Sequence, residues 1–195
     1  MMQMGQRIGS LLVLIILSAL LITACGLDTG KNSTPGASSK PAEQTVDPAK
    51  TPGSGIEGKQ VVVYFPTRDA MYLMPENRKI LPGQDPMRSS IEILLSGPEN
   101  QDVVAIAPQG TVLRSISVKE NIAYVDFNHA IIKNNPGGST TELLLVGAIV
   151  NTLTEFPDIS GVRILVEGKQ VQTLTGHVDV SGVLGRSEEI IKKRK

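Results

Sequence analysis

A chain of 195 residues has room for one domain of ordinary size, and its 19 basic and 19 acidic side chains cancel to a formal net charge of zero. That balance lacks the basic stripe nucleic acid requires, and with no Trp, three Tyr and three Phe there is little surface on which bases could stack. One cysteine and two histidines exclude a disulfide framework and a cysteine–histidine zinc cluster, so no metal and no cofactor is expected.

Residues 1–24 read as a lipoprotein signal peptide. Arg7 supplies positive charge, and the apolar run from Leu11 to Ile22 covers 12 residues, too short to span a bilayer but suited to a signal-peptide core. The run ends in Ile22-Thr23-Ala24-Cys25, which resembles the lipobox of bacterial lipoproteins, where the cysteine is lipidated on sulfur and becomes the first residue. The resemblance implies that Cys25 is the lipidation site and that the protein is extracytoplasmic, anchored to the cell membrane. Lipidation would also account for a lone thiol in an exported chain. Residues 25–58 then form the lipidated cysteine and a tether: Gly, Pro, Ser and Thr dominate, no aromatic occurs, and the composition predicts disorder. As a coil, such a segment spans about 30–35 Å.

The folded part is expected at 59–186. Lys59 to Pro66 is β-branched and aromatic and reads as a buried strand, with Met71 to Met74 returning as its hairpin partner and Pro75 and the charged Glu76 to Lys79 closing the unit. Asp85-Pro86 marks a helix start, Met87, Ile91, Leu94 and Leu95 line one face, and Gly97-Pro98 ends it. From Thr111 to Lys119, Val112, Ile116 and Val118 alternate with polar residues in the pattern of a half-buried strand. Glu120-Asn121 turns the chain into Ile122 to Phe127, and His129 to Gly138 is a loop with room for one helical turn.

The longest element is a helix from Ser139. The Ser139/Glu142 spacing predicts a capping box, and Pro157 a stop. Leu143, Val146, Val150 and Leu153 form the expected core stripe, flanked by Leu145, Ile149 and Phe156. On the other side lie Leu144, Gly147, Ala148, Asn151 and Glu155. The first four of these are the candidate partner surface, because small residues beside a leucine let another backbone approach; the alternative is an ordinary solvent face. Val162 to Val166 follows as a strand, Gly168-Lys169 turns into a short strand at Val171 to Leu174, and 187–195 is expected as a loose basic tail.

The order strand, strand, helix, strand, strand, helix, strand, short strand predicts an α+β fold: a two-layer sandwich with a mixed, mostly antiparallel sheet covered by two helices. The phrases VVVYFPTRDAMYLMPE, SIEILLSGP, AIAPQGTVLRSISVKENIAYVDF, ELLLVGAIVNTLTEFPDISGVRILVEGK and TLTGH together resemble the GerMN domain. That resemblance covers about residues 60–180. It implies a single GerMN domain with a fold like the ring-building motif, in a non-catalytic, lipid-anchored module of sporulation or spore germination. It further implies an assembly or adaptor role toward envelope or sporulation-complex proteins, with a second copy of the chain as another candidate partner. A peptidoglycan- or glycan-binding envelope module is the alternative.

Catalysis finds little support. His129 and His177 stand outside any ligand spacing, and neither Gly-x-Ser-x-Gly nor a Walker loop occurs. Asp126, Glu142, Glu155, Glu167 and Asp179 fall near ordered elements, but a glycosidase needs two converging acids, and no motif here demands that. The expectation is a protein that is not an enzyme.

Overall fold

The computed structural model describes residues 58–193. The segments expected to be a signal peptide and a tether, Cys25 included, lie almost wholly outside the described residues. Val61, Val63 and Phe65 are buried on strand β1 (Gln60–Pro66), which pairs antiparallel with β2 (Leu73–Lys79). Pro75 and Glu76 to Lys79 do not close the unit as expected; they lie within β2, with Pro75 opposite Tyr64. Proline cannot donate to a ladder, and a two-stranded sheet, in which every strand is an edge, is where it is tolerated.

Helix α1 (Pro86–Ser96) starts where the sequence marks it: the Asp85 carboxylate accepts from the Arg88 amide at 3.0 Å, and Gly97 ends the helix at φ 97°. Strands β3 (Leu113–Lys119) and β4 (Ile122–Phe127) form the expected hairpin. Its turn residues Glu120 and Asn121 have φ 52° and 60°, the positive pair a tight two-residue hairpin needs. After the single turn of α2 (Ala130–Lys133) and the long α3 (Ser139–Leu153), strand β5 (Gly161–Val166) lies parallel to β4. Strand β6 (Lys169–Gln170) folds back antiparallel across the turn Glu167-Gly168. The second short strand is thus earlier than the Val171 to Leu174 expected.

The four-stranded sheet has the order β3-β4-β5-β6 and is mixed and mostly antiparallel, as anticipated. Ala123, Val125 and Phe127 with Val162, Ile164 and Val166 supply its buried face. From α1 to β5 the elements run helix, strand, strand, helix, strand, apart from the single turn of α2, in the manner of the ring-building motif. Two further details depart from expectation. The β1–β2 hairpin is a separate sheet, and β3 is largely exposed, with Leu113 buried but Val112 and Val118 open to solvent.

Helix α3 touches β1 and β2 of the first sheet, β5 of the second, and α1. Being covered from several directions, it buries every residue from Leu144 to Leu153. A helix apolar all round belongs inside a protein, and between Leu143 and Leu153 this one carries no charge.

Candidate functional site

The Ser139/Glu142 capping box does not form. Gly138 is the N-cap, at φ 95° and without a side-chain cap, and the Glu142 carboxylate turns inward instead. There, fully buried, Oε1 accepts from the amides of Leu174 at 2.8 Å and Thr175 at 2.9 Å. Oε2 accepts from the Thr175 hydroxyl at 2.7 Å and the His177 amide at 2.8 Å. Burial alone would raise this carboxyl, but the bonds from Thr175, His177 and Leu174 outweigh it and hold the group below the usual carboxylate range. An acid on a helix therefore closes the 174–177 turn.

At the other end of α3, Asn151 is fully buried and exchanges two bonds with Ser187: Nδ2 donates to its carbonyl at 3.0 Å, and Oδ1 accepts from its amide at 2.9 Å. Arg186 beside it donates to the Asn151 carbonyl at 3.2 Å and to the Tyr64 hydroxyl at 2.7 Å, and pairs with Glu155 at 2.8 Å. The Tyr64 hydroxyl donates to Glu155 at 2.6 Å. Burial, helped by that bond, pushes the Tyr64 phenol up to about 12. Glu155 remains exposed, yet it takes part in a network that joins β1, α3 and the C-terminal segment.

The segment beyond Arg186, expected to be loose, is docked as far as it is described. The Leu73 amide donates to the Ile190 carbonyl at 2.6 Å and the Lys192 amide to the Leu73 carbonyl at 2.8 Å, so β2 gains a short parallel neighbour. Ile190 packs against Gly147, where an added Cβ would come within 2.3 Å of its Cδ1. This corrects the partner surface drawn from sequence. Leu144, Gly147, Ala148 and Asn151 do take a close neighbour over the small residues, but they are buried, and the neighbour at Gly147 and Asn151 is the chain's own C-terminal segment. Leu143, assigned to the core stripe, is the residue left 44% exposed.

The remaining buried acids follow the same pattern as Glu142. Asp126 accepts from the Gly168 amide at 2.8 Å and pairs with Arg114 at 3.0 Å. Glu76 accepts from the amides of Glu99 at 3.1 Å and Asn100 at 3.0 Å and pairs with Arg78 at 3.0 Å. No buried side-chain polar atom among the described residues lacks a partner. His129, His177, Glu167 and Asp179 are exposed, and among the described residues no three His, Cys, Asp or Glu side chains are placed to share a metal ion.

Residues 62–172, more than half of the chain and spanning β1 to just past β6, match the profile of Germane, described as sporulation and spore germination. The chain belongs to the Germane family. Among solved structures it is similar to the tandem GerMN domains of the Bacillus subtilis sporulation protein GerM, with a TM-score of 0.60 and 22% identity over 73% of this chain and 51% of that one. It is also similar to the first GerMN domain of that protein, with a TM-score of 0.57 and 18% identity over 66% of this chain and 98% of the domain. The chain therefore spans about half of the tandem structure, and at these identities the likeness is one of fold. No curated protein matches it. Glu142 lies within the family match, whereas Arg186 and the docked segment lie beyond it.

Proposed function

We propose that this Germane-family protein is a membrane-tethered, extracytoplasmic adaptor that binds envelope proteins of sporulation or germination and catalyses no reaction. The observation that carries the non-catalytic part is the commitment of Glu76, Asp126 and Glu142, the buried acids, to amides and arginines of their own domain. A general acid or base must instead face a reacting group. The tether rests on the apolar run and Cys25, and the sporulation or germination setting on the family.

Strand β3 ends the four-stranded sheet, so among the described residues its outer edge has no strand partner. A photocrosslinker at exposed Val118, with buried Leu144 as control, in sporulating cells carrying the full chain tests the adaptor reading. A discrete protein adduct from 118 that disappears with Cys25→Ser supports a tethered adaptor. Adducts to wall material alone would replace it with a glycan-binding module, and adducts unchanged by Cys25→Ser would remove the tether.

A further inference from the structure

Strand β3 ends its sheet with an edge that its own sequence is suited to cover. The turn at Glu120-Asn121 makes Lys119 and Ile122 the hydrogen-bonded pair that closes the hairpin. Lys119, Ser117 and Ser115 therefore direct their backbone groups to β4, and those of Ile116 and Val118 point away from the sheet. Among the described residues no other segment bonds to them. Edges are commonly guarded by a bulge, a proline or an inward-pointing charge. Here the bulge between Leu113 and Ser115 and the charge of Lys119 stand at the two ends, and Ser115-Ile116-Ser117-Val118 between them carries no guard.

Cross-strand partners share a face, so Ile116 beside Val125 and Val118 beside Ala123 lie on the apolar side of the sheet, and Ser115 and Ser117 lie on the other. Val118 is nevertheless 43% exposed and Ile116 only partly covered. A strand that covers them must be apolar at alternate positions and small between, which is the pattern of β3 itself. Antiparallel pairing allows only registers in which outward-pointing residues meet. With Ser117 opposite its own copy, Ile116 meets Val118 and Arg114 comes beside Glu120. Arg114 keeps 46% of its side chain in solvent beyond its bond to Asp126, and Glu120 is exposed, so both charges are open to such a contact. Centring the pair on Ile116 instead sets Arg114 against Val118 and Lys119 against Leu113, and centring it on Val118 sets Ile116 against Glu120. One register alone thus satisfies both face and charge. An acidic peptide on the same edge would meet Glu120 as well as Arg114, so the edge does not favour it.

We propose that β3 pairs antiparallel with β3 of a second copy about a two-fold axis at Ser117, joining two sheets into one. The contact is isologous, so each favourable pair is made twice. A single strand edge is a small interface, and a covalent trap therefore reads it better than mass alone. The pairing goes beyond the adaptor reading and does not depend on it. In photocrosslinking from Val118 a second copy gives an adduct of twice the chain mass, distinct from that of an envelope protein.

In a non-hydrogen-bonded antiparallel pair the Cα atoms are about 4.5 Å apart, within reach of a disulfide. In the proposed register Ser117 meets itself in such a pair, and Ser115 meets Lys119. The purified full chain carrying Ser117→Cys should therefore form a disulfide-linked dimer under mild oxidation, as should an equal mixture of Ser115→Cys and Lys119→Cys chains. Ser115→Cys alone and Lys119→Cys alone, whose copies lie about 14 Å apart, should stay at the background of the unsubstituted chain, whose only cysteine is Cys25. Val118→Lys added to Ser117→Cys places a charge on the apolar side of the edge and should abolish the dimer with the circular dichroism spectrum unchanged. Equal yields from cysteines at 115, 117 and 119 alone would mark random collision and overturn the proposal, as would a dimer at 117 that survives Val118→Lys. No dimer at 117 overturns the pairing and leaves the adaptor reading to its own test in cells.

Discussion

The two ends of α3 hold the chain beyond β6 by different physics. At Glu142 a fully buried charge is surrounded by three amides and a hydroxyl, all supplied by residues 174–177. At Asn151 the buried amide is neutral, and the charges next to it, Arg186 and Glu155, keep 27% and 30% of their side chains in solvent. Charge without water makes the first end depend on every bond being present. Partial solvation makes the second end tolerant, since water can replace what a substitution removes. The residues of α3 from Leu144 to Leu153 are buried, so the helix organises the interior and presents no face to an outside partner.

Substitutions at both ends can break this contrast. Glu142→Ala should have the largest effect, about 3–5 kcal/mol or loss of folding, because it leaves buried donors without an acceptor. Glu142→Gln should cost about 2 kcal/mol, since the amide still accepts at one atom but faces donors with its nitrogen. Denaturant unfolding measures both, and a cost below that of Asn151→Ala would remove the distinction. Asn151→Ala, which loses the two bonds to Ser187, should cost about 1–2 kcal/mol. Arg186→Met should cost about 1 kcal/mol or less, as expected for a partly exposed pair.

The pH dependence sharpens the same comparison. Because folding lowers the Glu142 pKa, its stabilisation is present above the unfolded value near 4.5 and is lost as pH falls through the lower folded value. Unfolding free energy should therefore decline on acidification, and Glu142→Gln should flatten part of that decline. At the other end, the raised Tyr64 pKa makes its contribution complete below the unfolded value of 10.0 and lost as pH rises through about 12. Tyr64→Phe should delete a phenolate absorbance step near pH 12. A step that persists in the variant would assign that ionisation elsewhere.

The smallest effect is expected at Gly147. Alanine there gains up to about 1 kcal/mol of helix propensity but pushes into the Ile190 methyl, a flexible group that can move. Global stability should change by less than about 1 kcal/mol. The amides of Leu73 and Lys192 should nevertheless exchange faster with solvent, and unchanged exchange would show that Ile190 does not hold the segment down.

Much of the fold was legible because local chemistry decides it. Asp85-Pro86 and Gly97 bound α1 through caps, and Glu120-Asn121 turns the β3–β4 hairpin, whereas the alternation read in β3 belongs to a strand that is largely exposed. Pro75 misleads because a rule for central strands was applied to an edge. Glu142 misleads because Ser-x-x-Glu is also the spacing of any serine and glutamate one turn apart; its true partners lie more than 30 residues on, and no local pattern names them. The all-round burial of α3 did have a signal, the absence of charge from Leu143 to Leu153, which a two-faced reading of the helix overlooked. For the docked segment the signal was Ile190-Ile191, an apolar pair standing among charges.

The most direct test of the contrast between the two ends is native-state hydrogen exchange at the amides of Leu174, Thr175 and His177 beside those of Leu73, Ser187 and Lys192. The structure predicts that the first three exchange only with global unfolding, while the second three open locally with residues 186–193 at a lower free energy. Rapid local exchange at Thr175 and His177, or equal protection of both groups, would contradict it.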